Sequence, residues 1–467
     1  MSRNIHRQRR GDVLGRSVWK TLLCLEGPVV VTSVEVLGEG VAGRLIVDVR
    51  LPANHRLRCG RCRRPCPRYD PGRVRTWRAP DVGVCQALVR ARIPRVYCRV
   101  HKVVVAHVPW ARHGAGHTRA FDDQVAWSVV VSNKTAVGKW FRIAWSTVGS
   151  IIARVEADFA AGTDRLAGLR RIGIDEISYR RGHKYLTVVV DHDTGRLVWA
   201  APGRDKATLG KFFAQLDADG AGRSALLTHV SADGAEWINH MVTLRAPQAQ
   251  LCMDPFHVVR WAGEVLDEAR RVSWRVAVQA ARAAAAQLKQ KIEAGLAPRR
   301  PGPVTGAGSD LNVKGARLND RRVEALRHAR WALAKNPQNL SDAQKVRLEW
   351  IASADPDLYR VYGFKEALRY VFELKGEAGV QALDVWLTEA AGSGIKLVEG
   401  LADKIGWYRD RIAASLRHRL SNGLIESTNT KLRAVARAAF GFHGPAPMIA
   451  LAFLTRGGSR PALPGRV

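Results

Sequence analysis

The chain has 467 residues, too many for one ordinary core and enough for two to four domains. A hydrophobic content of 46% is that of a globular protein and excludes a disordered basic tail. Lys and Arg number 74 against 42 Asp and Glu, a net charge of +32, so nucleic acid is the leading partner and a generally arginine-rich proteome is the plain alternative.

No apolar run approaches the length that crosses a bilayer. The N-terminus is basic, but Lys20 and Glu26 break any signal-like core. The expectation is a soluble cytoplasmic protein associated with the nucleoid, with no membrane partner. Seven cysteines are present, and five of them fall between Cys59 and Cys98. In a cytoplasmic chain that pattern favours metal over disulfide.

Residues 1–54 start basic and pass into β-like alternation, "VVVTSVEVLGEGVAGRLIVDVRL". Residues 55–112 are rich in Cys, Arg and Pro and read as a zinc-ribbon-like domain. Cys59-x2-Cys62 and Cys98-x2-His101 form a two-plus-two set whose ligand types suit tetrahedral Zn²⁺. So short a ribbon has little core, and the metal would supply its folding energy. Cys66 and Cys85 are spare thiols that could replace one ligand; reduced, partly buried cysteines are the alternative.

Residues 113–165 read as helix, helix, turn, helix, the pattern of a helix-turn-helix DNA-binding domain. On its last helix, Ser146 is a candidate cap. Thr147, Ser150 and Arg154 are expected outside, facing a DNA major groove, with Val148, Ile151, Ile152 and Val155 inside. Trp140 and Trp145 are expected in the core. A three-helix bundle without DNA shares this pattern.

Residues 166–258 contain three strand-like runs, "RRIGIDEI", "KYLTVVVD" and "RLVWAA", with a hairpin turn at His192-Asp193-Thr194-Gly195. A helix ("KATLGKFFAQL"), a fourth strand ("ALLTHVS") and a fifth ("AQLCM") follow. The order β-β-β-α-β-α-β is that of a ribonuclease-H-like sheet within a multidomain α/β protein. Residues 259–415 read as long helices, interrupted by a Pro/Gly loop at 299–312. Their tryptophans, Trp261, Trp274, Trp331, Trp350, Trp386 and Trp407, are mostly expected in a bundle core. Residues 416–445 hold a further helix, and 446–467 form a tail.

Three acids stand out. Asp175 lies in the first strand, alternating with Ile172 and Ile174. Asp233-Gly234 follows the fourth strand, where open α/β sheets place ligands. If those strands are neighbours, the carboxylates meet, and a divalent cation such as Mg²⁺ or Mn²⁺ relieves their repulsion. Glu426 opens the helix at 416–445, with Ser421 or Asn422 as cap. Asn429, Arg433 and Arg437 lie within about 60° of it on a helical wheel, with Leu424, Leu432, Val435 and Ala439 opposite. That face can ligate metal and hold phosphates, or be a solvated surface. Asp254 and His257, three apart, could be ligands, could buttress Asp233, or Asp254 could cap the helix begun by Pro255.

The stretches "GIDEISYRRGHKYLTVVVD", "MDPFHVVRW" and "SNGLIESTNTKLRAVARAAFGF" resemble the ISL3 group of insertion-sequence transposases, and the likeness runs from about residue 55 to 445. It implies a DDE transposase: a ribonuclease-H-like core interrupted by an all-α insertion (259–415), preceded by the zinc ribbon and helix-turn-helix. It implies binding to terminal inverted repeats and metal-dependent cleavage and strand transfer into target DNA. Asp175 matches the first acid and Glu426 the glutamate; the middle acid is Asp233 or Asp254. Ser427 stands where the family often has Gly, and no Lys-Arg pair precedes Gly441-Phe442. Two-ended chemistry implies a homodimer or larger assembly on double-stranded DNA. An inactive DNA-binding protein or repressor derived from a transposase, and a junction nuclease, are the competing functions.

Overall fold

The structure, a computed structural model, describes residues 15–38, 43–180, 182–296, 321–420, 423–439 and 444–463. The basic first residues, the 299–312 loop and the expected caps Ser421 and Asn422 lie outside the described residues. The chain divides into two compact units. The first takes in Met1–Gly168, Glu176–Arg204 and Glu426–Val467; the second takes in Leu169–Asp175 and Asp205–Ile425.

The first unit opens with α1 (Arg16–Leu22), then β1 (Val30–Leu37), β2 (Arg44–Arg50), β3 (Arg68–Arg78), β4 (Gln86–Cys98) and β5 (Lys102–Val105). These strands form one sheet in the order β1-β2-β4-β3, with β5 on β4. The alternation in β2 is met by its burial: Leu45, Val47 and Val49 face a core that also holds Trp77, Val89, Ile93 and Trp110. Across the boundary expected at residue 54, β1 and β2 share one sheet and one apolar core with β3, β4 and β5 of the cysteine-rich segment. Three helices follow, α2 (Arg119–Val131), α3 (Lys134–Phe141) and α4 (Trp145–Gly162). Thr118 and Asn133 cap the first two through their side-chain oxygens.

A second sheet has β6 (Arg171–Arg180), β7 (Lys184–Asp191), β8 (Leu197–Pro202), β9 (His229–Ala232) and β10 (Gln250–Met253) in the order β10-β9-β6-β7-β8. Adjacent β6 and β7 are joined by too short a link for a crossover, so they run antiparallel. β7 and β8 are antiparallel around the expected turn, where Gly195 has φ +68° and its N–H donates to Asp191 O. β9 pairs in parallel with both β6 and β10. The crossovers carry α5 (Lys206–Leu216), which matches the expected helix, and α6 (Glu236–Arg245). The fourth strand starts later than its apolar run, because Arg223–Leu226 forms a short 3-10 turn.

The helical part of the second unit holds α7 (Pro255–Glu293), α8 (Arg321–His328), α9 (Arg330–Ala334), α10 (Asp342–Ala354), α11 (Pro356–Val371), α12 (Glu377–Ala391), α13 (Lys396–Trp407) and α14 (Arg409–His418). Leu326, Leu368, Leu383, Trp386 and Ile405 are among its buried centre. Trp386 donates its indole N–H to Phe364 O, and Trp261 and Trp350 pack partly buried against the cluster. Trp274, Trp331 and Trp407 do not follow the expectation for this group; they are exposed, Trp407 at 83%. The chain ends with α15 (Gly423–Ala438) and α16 (Pro445–Arg456), and within the first unit α16 packs on α4 and β8. No helix among the described residues is long and apolar enough to cross a membrane.

Candidate active site and nucleic-acid interface

In the second unit, strand register aligns three acids. β6 and β9 pair Arg171 with His229, Ile172 with Val230 and Gly173 with Ser231. Continued two residues further, the same parallel register sets Asp175 beside Asp233. β10 pairs Met253 with Ala232, and the Asp254 N–H donates to Ala232 O at 3.0 Å, so Asp254 stands beside Asp233 on the other side. The three carboxylates thus fall at one level, at or beyond the C-terminal edge of neighbouring parallel pairings. Lateral neighbours in a sheet point to the same face.

Each acid is held differently. Asp233 Oδ1 accepts from the Ala235 N–H at 3.0 Å, bending the chain at Gly234, whose φ is +84°. That positive φ favours glycine, and a Cβ there would also push on Met253 Cε at 2.7 Å. Asp254 is buried at the head of α7, and its Oδ2 meets His257 Nδ1 at 2.7 Å. Burial works against a charged His257, but the Asp254 hydrogen bond and the charges of Asp254 and Asp233 outweigh it and hold its pKa above the ordinary value. Asp254 occupies the cap position of α7 without a side-chain cap bond, its carboxylate being turned to His257 instead. Asp175 is half-buried. Glu176, the next residue, pairs with Arg204 at 3.1 Å in the first unit.

Glu426 belongs to the first unit and is exposed on α15, as are Arg433 and Arg437. Asn429 departs from the expectation: it is 1% exposed, and the buried stripe of α15 is Ile425, Thr428, Asn429 and Leu432. Leu424, expected inside, is exposed. The wheel missed this phase because it assigned the inner face to apolar residues, whereas Thr428 is accommodated by a bond from Arg456 at 3.3 Å.

The helix-turn-helix elements stand as expected, with Val148, Ile151, Ile152 and Val155 buried on α4. Ser150 is exposed and Thr147 half-buried. Ser146 does not cap α4; Ala144 holds that position and Ser146 lies in the first turn. Arg154 is not an outward residue. Its guanidinium grips Asp122 on α2 with bonds of 3.0 and 3.1 Å, and Asp122 is wholly buried. Arg112, itself buried, reaches Asp123 at 2.7 Å and Asp158 at 3.1 Å. These pairs bind α2, α4 and the end of the ribbon together. Trp140 is 82% exposed rather than in the core, and Trp145 is partly exposed with the Lys134 ammonium 3.3 Å from its ring centre.

The four expected metal-ligating residues converge. Among the described residues, Cys59, Cys62, Cys98 and His101 are the one group of three or more such side chains with donor atoms all within 4.8 Å of one another. Cys62 Sγ lies 3.7 Å from Cys98 Sγ, and His101 Nδ1 lies 3.6 Å from Cys59 Sγ and 3.7 Å from Cys98 Sγ. A metal–sulfur bond of about 2.3 Å implies tetrahedron edges of roughly 3.6 to 3.8 Å, which these spacings match. The His101 backbone N–H heads the influences that bring the Cys98 thiol down to about 6, favouring the thiolate that binds metal.

Residues 172–452 match a family profile described as a transposase, and residues 106–156 match one described as the helix-turn-helix domain of transposase family ISL3. The chain is 50% identical over 452 residues to the transposase for insertion sequence element IS1557 of Mycobacterium tuberculosis, covering 96% of this chain and 97% of that one. It is 29% identical over 314 residues to the transposase for insertion sequence element IS1001 of Bordetella parapertussis, covering 67% and 66% of the two chains. A Drosophila P element transposase strand transfer complex aligns over 72% of this chain and 92% of that one at 11% identity, with a TM-score of 0.34, too low to bear on the fold.

The Arg154–Asp122 grip predicts a stability effect. Arg154→Ala, which strips a buried carboxylate of its two-bond partner, should lower unfolding free energy by on the order of 3 kcal/mol. Ser150→Ala on the same helix should stay within about 0.5 kcal/mol. Urea denaturation of the two variants checks this; equal midpoints would refute the structural role of Arg154.

Proposed function

The chain belongs to the ISL3 family of insertion-sequence transposases, and from that premise we propose that it binds the terminal inverted repeats of its element, cuts the DNA there and joins the ends to a target. The observation that carries the chemistry is the common level of Asp175, Asp233 and Asp254 across three parallel-paired strands. An antiparallel β6-β7-β8 meander continued by parallel β9 and β10 through helical crossovers supports a ribonuclease-H-like core. In that reading residues 166–258 begin the core, 259–415 are the helical insertion, and 416–445 return to it.

Asp175, Asp233 and Glu426 are the proposed metal-binding acids. Their hard oxygen donors suit Mg²⁺ or Mn²⁺. When bound, such ions activate the attacking water or 3′-hydroxyl and stabilise the leaving oxygen of an in-line displacement. The chain's own part is to hold the carboxylates in place. Asp233 is preferred to Asp254 as middle acid because it ends the strand adjacent to Asp175, while Asp254 is buried and committed to His257. Asp254 and His257 then position the turn that carries Asp233. Glu426 enters by its place in the motif within the matched 172–452 region and by its exposed carboxylate.

The N-terminal half supplies recognition. α4 offers Thr147 and Ser150 to a major groove, and Arg433 and Arg437 can contact phosphates; Arg154 and Asn429 serve the fold instead. Cys59, Cys62, Cys98 and His101 are the proposed Zn²⁺ ligands, and the ion stiffens the loops that close the sheet. Action at two element ends calls for a dimer or larger assembly on DNA.

Asp175→Asn, Asp233→Asn and Glu426→Gln should each abolish Mg²⁺-dependent cleavage of a duplex taken from the DNA flanking the gene, while gel-shift affinity remains. Asp254→Asn should keep measurable cleavage. Full activity in Asp175→Asn or Glu426→Gln would overturn the catalytic reading, and tight binding by the parent without nicking would favour an inactive binding protein. Purified protein should carry about one zinc per chain. Cys59→Ser with Cys62→Ser should abolish that content and lower the melting temperature; a metal-free parent of unchanged stability would remove the zinc.

A further inference from the structure

Close to the three acids, within the second unit, stands a cluster of rings and cations that the chemistry above does not use. The ring edge of Tyr408 lies over the Asp233-Gly234 turn: a Cβ on Gly234 would be 3.6 Å from Tyr408 Cε1. Trp261 sits one helical turn beyond His257 on α7, so the two share a face. The Trp261 and Tyr408 rings meet with centroids 5.5 Å apart. Each ring seats a cation. The Lys404 ammonium is 3.9 Å from the Trp261 centroid, and the Arg411 guanidinium carbon is 5.5 Å from the Tyr408 centroid. Among the described residues no carboxylate pairs with either cation, although most arginines around them, such as Arg409 with Asp384 and Arg417 with Glu377, are paired.

Two unpaired cations held against aromatic faces beside an acidic site have a physical use. The ring quadrupole fixes the position of a cation without neutralising it. A carboxylate partner would have cancelled the charge that a phosphate needs. The acids draw metal but repel a DNA strand, so a phosphodiester brought to them needs positive charge nearby. We propose that Lys404 and Arg411 clamp backbone phosphates of the DNA strand that enters at Asp233, and that Trp261 and Tyr408 position them. The inference rests on the acids being the cleavage site, but the clamp itself is a binding contact and is read without metal. It also gives α13 and α14 a part in substrate binding that their sequence does not announce.

The test is the salt dependence of binding by the full chain, in EDTA, to a fluorescein-labelled duplex cut from the DNA flanking the gene. Each lost phosphate contact lowers the slope of log K against log salt by about 0.9. Lys404→Ala and Arg411→Ala should each lose about one such step, and Arg411→Lys should lose none. Arg282→Ala, an exposed arginine further along α7, should leave the slope unchanged. Tyr408→Ala should behave like Arg411→Ala, and Tyr408→Phe, which keeps the ring, like the parent. Parent slopes in both Lys404→Ala and Arg411→Ala, or an equal loss in Arg282→Ala, would overturn the proposal. A parent slope in Tyr408→Ala would overturn the seating of Arg411. Cleavage retained by Asp175→Asn would remove the metal reading and leave these slopes standing.

Discussion

Parallel pairing of β9 with both β6 and β10 is the constraint on which the candidate site depends. Three carboxylates would not gather at one level unaided, since like charges at short range raise one another's pKa and favour separation. The ladder leaves them no choice. Slipping any strand by one residue would turn its apolar side chains to the wrong face, and Ile172, Ile174, Val230 and Met253, which share one face, are all buried. The burial of ordinary aliphatic residues therefore holds the acids together. Around them the pKa of His257 is raised, and Lys404 and Arg411 sit on the Trp261 and Tyr408 rings with no acid partner among the described residues.

The chain's large positive charge divides into two kinds of work. Part of it is spent inside the fold. Arg112 and Arg154 satisfy Asp122, Asp123 and Asp158, and through them α2, α4 and the ribbon end are tied together. A buried carboxylate left alone is strongly destabilising, so these arginines are tied to their partners and withdrawn from DNA. Other cations, Arg433 and Arg437 among them, stay on exposed faces. Net charge points to a polyanionic partner but cannot say which arginines meet it.

Much of the organisation was legible in advance. Alternation located β2, and strand-like apolar runs located β6 and β7; the Asp193-Thr194-Gly195 turn located the hairpin; and two-residue spacings located the metal-ligating set, since a pair at that spacing can reach one ion. The misreadings share a cause. Asn429, Leu424, Trp140 and Trp407 were assigned inside or outside by polarity alone. Polarity predicts burial when a residue has no special partner, and fails where a neighbouring element offers a bond, as for Thr428 and Arg456, or where an apolar ring is left without a covering element. Arg154 failed likewise: its exposure depended on an acid thirty-two positions earlier in the chain.

By itself the sequence determined the succession of elements, the Cys3His set and membership of a transposase family, because each is carried by local spacing or by residue identity. Only the tertiary structure decided that Asp233 rather than Asp254 follows the strand next to that of Asp175, that Arg154 is a strut, and that Lys404 and Arg411 sit on the rings of Trp261 and Tyr408. Those facts are registers and contacts between segments far apart in the chain. Their energies depend on which surfaces meet, and that is not written in any one segment.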